Sequence, residues 1–172
     1  MPSLPPDRSS DRQHLAVALL TLWLLITSPW VSMLRRIPPS AGWLDYAHVV
    51  LGLLALVLGV AYAWSCTRGE RWRLYFPWAP SELRSVGRDL AGLLRGCIPS
   101  SEGGGLFGLI EGLLLLLLLA TALTGAGWLA TQGSDAALAW REYHALAARG
   151  LVGLLVLHVV TVSLHLTDFL RD

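Results

Sequence analysis

The sequence predicts an all-α integral membrane protein, a four-helix bundle with an amphipathic helix on its cytoplasmic surface. Three observations carry that reading. The chain of 172 residues is 54% hydrophobic, with a mean hydropathy of +0.55. Its apolar residues stand in long blocks instead of recurring at the periods of an amphipathic helix or a half-buried strand. Four blocks, Leu15 to Met33, His48 to Cys66, Leu106 to Trp128 and His144 to Phe169, are each long enough to cross a hydrocarbon core. Backbone groups in lipid must pair within their own segment, so each block is a helix.

Residues 1–13 are rich in Pro, Ser and charge and are expected to be a disordered cytoplasmic N-terminus, with residues 14–172 forming the membrane domain. The first span is read as a retained helix. Its apolar run is too long for a signal peptide, and no small-x-small cleavage site follows Ser32. The loop from Thr67 to Gly105 is the one sizeable piece outside the spans. Within it Pro80-Ser81-Glu82 reads as a helix start with Ser81 as N-cap, Leu83, Val86, Leu90, Leu93 and Leu94 make an apolar stripe, and Gly96 ends it. Arg84, Arg88 and Arg95 would then face headgroups, as in a surface-lying helix that anchors the loop or docks a partner. Gly103-Gly104-Gly105 is a hinge without the Lys-Ser/Thr of a phosphate loop.

Orientation follows from charge. All positive residues are arginine. Arg8 and Arg12 precede the first span, Arg68, Arg71, Arg73, Arg84, Arg88 and Arg95 lie in the middle loop, and Arg171 is near the end, whereas only Arg35, Arg36 and Arg141 fall in the other two loops. This excess places both termini and the middle loop on the cytoplasmic side of a bacterial inner membrane. Trp30, Trp43, Trp128 and Trp140 mark the outer boundary, and Trp64, Trp72 and Trp78 the inner one. A net charge of +1 gives no footing for nucleic acid. Cys66 and Cys97 both fall on the reducing side, so no disulfide is expected. There is no Cys-x-x-Cys-His for covalent haem, and two cysteines do not suffice for an iron-sulfur cluster or an ordinary structural zinc site.

The five histidines carry the chemistry. His14 and His48 stand at the entrances to the first two spans, and His144, His158 and His165 lie on the fourth. Along a helix the 14-residue step from His144 to His158 advances roughly 21 Å and returns within about 40° of the same face. Alternating span directions put His48 level with His144 near the outer face and His14 level with His158 near the inner face. A pair of imidazoles clamping a planar tetrapyrrole is the simplest chemistry that uses two histidines per site and nothing else. Such iron is six-coordinate, with no open position for oxygen or substrate, so the site would move electrons. Gly52 and Gly59, at i+4 and i+11 from His48, would leave flat room for the ring; close helix packing is the competing reading for each.

The motifs Arg12-Gln13-His14, His48-Val49-Val50-Leu51-Gly52, Thr124-Gly125 at the end of the third span, and His144 to His158 resemble those of the bacterial dihaem cytochrome b family, which includes small stand-alone cytochromes b and the membrane subunits of nickel-iron hydrogenase and formate dehydrogenase. The resemblance covers nearly the whole chain. It implies two haems b with His14, His48, His144 and His158 as axial ligands to the iron, and a quinone reacting near the inner haem. His165 is similar in position to an extra histidine of the stand-alone members. Leu15 stands where many members have Trp, and the middle loop is longer than in stand-alone forms, which leans toward the subunit of a complex.

Three further residues join the candidate site. Glu111, two turns inside the third span, would exchange protons with a quinone, or would sit neutral and bonded to another helix. His165 would relay protons at the inner surface, or serve only as an interfacial side chain. Arg149 would pair with a haem propionate, or snorkel to headgroups. Together these lead to a mechanism in which electrons pass from a periplasmic iron-sulfur or other redox subunit through the outer and inner haems to the membrane quinone pool, or in reverse. One rival is a free-standing cytochrome b oxidising superoxide or a small donor. Another is a haem-free transporter or assembly factor whose histidines bind a transition metal, although neither inverted repeats nor broken helices are visible.

Overall fold

The computed structural model describes residues 8–68, 72–77, 80–95 and 104–169, with side chains described for all but 8–10, 80–81 and 164–169. The helices are α1 (Arg8–Thr27), α2 (Trp43–Thr67), α3 (Trp72–Tyr75), α4 (Pro80–Leu93), α5 (Gly105–Ala130) and α6 (Ala136–Phe169). No strand occurs among the described residues. Segments Asp11–Trp30, Trp43–Thr67, Gly105–Ala130 and Ala136–Ser163 are long and apolar enough to cross a membrane, so the fold is the expected all-α membrane bundle. Leu15, Leu19, Leu22 and Ile26 form an exposed stripe along α1, and Val50, Val57 and Val60 along α2. Such stripes suit lipid and would be costly in water.

The ends of the spans differ from expectation for local reasons. The α-helical part of the first span stops at Thr27 and passes into a 3-10 turn, Ser28–Trp30. Pro29 has no N–H to give and cannot continue the ladder. The hydroxyls of Thr27 and Ser28 donate to the carbonyls of Trp23 at 2.8 Å and Leu25 at 2.9 Å, which satisfies part of that terminus. α6 begins at Ala136, so His144 stands on its third turn. α4 begins at Pro80, with proline at the first helical position and Ser81 one residue inside the helix. Gly96, Cys97, Gly103, Trp78 and Arg71 lie outside the described residues.

The chain divides into two compact units, one of residues 1–65 and 118–147 and the other of residues 66–117 and 148–172. In the first, the connection from α1 to α2 is tied at both ends. Buried Asp45 accepts the Ser32 amide at 2.7 Å through Oδ1 and the Gly42 amide at 2.8 Å through Oδ2. These bonds pin the loop to the first turn of α2, one turn before His48. Further along, the Trp128 indole donates to the Leu34 carbonyl at 2.7 Å, the Gln132 amide oxygen accepts the Ile37 N–H at 3.1 Å, the Gly133 N–H donates to the Arg35 carbonyl at 2.9 Å, and Arg35 pairs with Asp135 at 3.0 Å. Gly133 makes the turn after α5 with φ of 87°. Trp30 and Trp43 are exposed as boundary residues should be, at 68% and 72%, but Trp128 is only 4% exposed. It is a strut for the loop instead of a ring among headgroups. Trp128→Phe keeps most of the packing and orphans the Leu34 carbonyl, so a loss of about 1 kcal/mol is expected, read as a lower melting temperature in detergent.

In the second unit, a Cβ added at Gly108 or Gly112 of α5 would collide with the carbonyl oxygens of Leu74 and Tyr75. The G-x-x-x-G spacing thus seats the end of α3 directly on the helix backbone. Asp89 of α4 accepts the Leu106 N–H at 2.9 Å, capping α5 from a neighbouring helix. Gly105, with φ of 61°, leaves the place for that carboxylate. On α4 Val86 is buried, while Leu83, Leu90 and Leu94 are exposed on one face beside the exposed Arg84, Arg88 and Arg95. That is the surface-lying pattern expected from the sequence.

Candidate functional site

His48, six residues into the second span, and His144 both belong to the first unit. Their imidazoles are half-buried and near enough for a charge on one to act on the other. α5 holds the His144 ring in place. Nδ1 lies 2.8 Å from the Thr121 carbonyl oxygen. A carbonyl can only accept, so Nδ1 carries the proton and Nε2 keeps its lone pair. Gly125 makes the approach possible, because a Cβ there would stand 3.2 Å from both Cε1 and Nδ1 of the ring. Two residues further along α5, Gly127 plays the same part for Trp140, whose ring atoms would lie 2.7 to 2.9 Å from an added Cβ.

His14 sits elsewhere in the same unit. Its ring stacks on Tyr62 of α2, with centroids 5.7 Å apart and planes 8° from parallel. Tyr62 stands 14 residues beyond His48 on one continuous helix, roughly 21 Å along its axis. The first unit therefore holds imidazoles at two heights, His48 with His144 at one and His14 at the other. His158 lies in the second unit on α6 and is half-buried. His165 is on the same helix, but its side chain lies outside the described residues.

The two glycines proposed to flank a ring separate. Nothing approaches an added Cβ at Gly52 within 4 Å, which leaves space one turn from His48. At Gly59 the Leu119 Cδ2 would be 3.2 Å away, so that glycine serves packing between α2 and α5. Glu111 lies on α5 between Gly108 and Gly112 with its side chain exposed, and Arg149 is exposed on α6. No group of three or more metal-ligating side chains occurs among the described residues.

Unsatisfied atoms test whether these residues suit a bound group. Among the described residues the buried side-chain atoms with no hydrogen-bond partner are Nδ1 of His48, Nδ1 of His158, Oε1 of Gln13 and Oγ1 of Thr21. An unmet buried polar atom costs about 1–3 kcal/mol. Two of these atoms belong to proposed ligands, His48 and His158. Spare imidazole nitrogen, a neighbouring imidazole whose tautomer is fixed, and room beside Gly52 fit a non-covalently held haem.

The model of the prokaryotic cytochrome b561 family matches residues 8–167. The chain belongs to that family. Neither a curated protein nor a solved structure matches it. As a prokaryotic cytochrome b561 with four membrane-length helices, it is a bacterial inner-membrane protein that binds b-type haem and transfers electrons across the bilayer. Tyr62 and the Thr121 carbonyl were not singled out from sequence, though the 14-residue interval from His48 points to the former. The Gly108-Gly112 pair carried a readable signal in its spacing.

Proposed function

We propose that this cytochrome carries electrons through two b-type haems between a periplasmic redox partner, iron-sulfur or other, and the membrane quinone pool, as the membrane cytochrome b subunit of a respiratory oxidoreductase. The observation that carries the reading is the hold on His144, whose Nδ1 is committed to the Thr121 carbonyl so that Nε2 is left to bind iron, with His48 in the same unit. A haem held by two imidazoles would supply one-electron transfer, with no position left open for oxygen or substrate.

His48 and His144 are the proposed ligands of one haem, and His14 and His158 those of the second. The second pairing follows the depths read from the sequence, in which alternating spans and the 14-residue step from His144 set His158 level with His14. Gly52 leaves the first ring its room, and Arg149 is the proposed propionate partner. The arginine distribution supports cytoplasmic termini, with the His48 end facing the periplasm. Glu111 and His165 then fall toward the cytoplasmic side, where they would pass protons to and from a quinone. The long loop containing α4 favours a complex subunit over a free-standing cytochrome.

A short-chain quinol added to the purified protein is expected to reduce the haem bands within the mixing time, with Glu111→Gln slowing that reduction at least tenfold while leaving the haem content unchanged. Haem bands that dithionite reduces and quinol does not would exclude the quinone assignment. Isolation from native membranes in a complex with a redox subunit is expected; a protein that comes out alone and active toward superoxide or a small donor would exclude the subunit role.

A further inference from the structure

The Thr121 carbonyl that holds His144 has a second suitor. The Thr124 hydroxyl lies 2.9 Å from the same carbonyl oxygen and 2.7 Å from that of Ala120. Its oxygen is 3.5 Å from the His144 Nδ1, too far for a good bond to the ring itself. A carbonyl oxygen has two lone pairs. Inside α5 one is used by the helix ladder, so the imidazole N–H and the hydroxyl compete for the other. The hydroxyl has one proton and two acceptors within reach, and each rotamer that serves Thr121 weakens the hold on His144.

We propose that Thr124 is a positioning residue that tunes His144, its hydroxyl sharing the Thr121 carbonyl with the imidazole and so limiting the electron density the ring can offer a metal. The inference rests on His144 being an axial ligand. A ligating imidazole whose other N–H donates strongly becomes more basic and more anionic. That favours the oxidised iron and lowers its potential. Sharing the carbonyl holds the potential up. Gly125 sets how far the ring can approach, and Thr124 sets how firmly it is held there.

The test compares Thr124→Val, which matches the shape without the hydroxyl, Thr124→Ala, which removes the hydroxyl without adding bulk, and Thr124→Ser, which keeps it. Each is purified and followed by potentiometric titration and low-temperature electron paramagnetic resonance. Val and Ala variants are expected to bind haem as the parent does, with the midpoint of one haem shifted downward and the low-spin g values of that same haem displaced, while Ser restores both. An unmoved or raised midpoint with unmoved g values in the Ala variant would overturn the proposal. His144→Ala, run beside them, separates the two levels of the claim. If it loses a haem and Thr124→Ala shifts nothing, only the tuning role fails; if it keeps every haem with unchanged spectra, the ligand assignment fails first.

Discussion

His144→Ala is expected to strip one haem from the protein and leave the other with its spectrum and potential intact. The substitution removes a proposed ligand and the ring that Gly125 and the Thr121 carbonyl hold in place. It leaves His48 half-buried, with a ring nitrogen that already lacks a protein partner. One imidazole cannot clamp a six-coordinate ring. His48→Ala should lose the same haem, and the double variant should lose no more than either single one, because both substitutions remove the same site. His14→Ala and His158→Ala should form a second such pair. Haem content per chain and the reduced-minus-oxidised spectrum of each variant read the outcome. A pairing in which His48 and His144 variants lose different haems would contradict the shared site.

Gly112→Leu, and equally Gly108→Leu, should be among the most damaging single changes away from the histidines. An isolated helical glycine is ordinarily replaced with a gain of up to about 1 kcal/mol. At these two positions the first added carbon already meets backbone carbonyls of α3, which cannot rotate aside as a side chain can. Overpacking costs about 1–3 kcal/mol where neighbours can shift, and more where backbone must move. Gly153 is the matched control, since nothing lies within 4 Å of an added Cβ there. Thermal unfolding in detergent should show Gly153→Ala unchanged or slightly stabilised and both leucine variants strongly destabilised. Equal melting temperatures for all three would mean that the seat of α3 is not part of the folded protein.

The legible and illegible parts of the molecule differ in the kind of interaction that sets them. The four spans were readable because length and apolarity alone decide whether a helix can cross lipid. Their ends were less so, because Pro29 acts through one missing N–H and Ala136 lies well before the block that His144 opens. α3 is four residues long and exists through its seat on α5, a tertiary contact that no local pattern announces. At the site, the histidines could be sorted by depth from the 1.5 Å rise of a helix, and the first unit keeps His48 level with His144 and His14 at another height. The carbonyl that fixes the His144 tautomer was invisible, since every residue has one; Thr124-Gly125 was its only trace. Gly52 and Gly59 looked alike from His48, and only the position of Leu119 separates them. Trp128 resembled its boundary neighbours until the Leu34 carbonyl supplied a reason to bury it.

The central claim is that imidazoles from separate spans hold iron porphyrin at two heights. Pyridine-haem quantitation on the purified 172-residue chain, made with ample haem supply, tests it most directly. Two b-type haems per chain are expected. A colourless polypeptide, or a single haem that survives alanine at both His48 and His144, would contradict it.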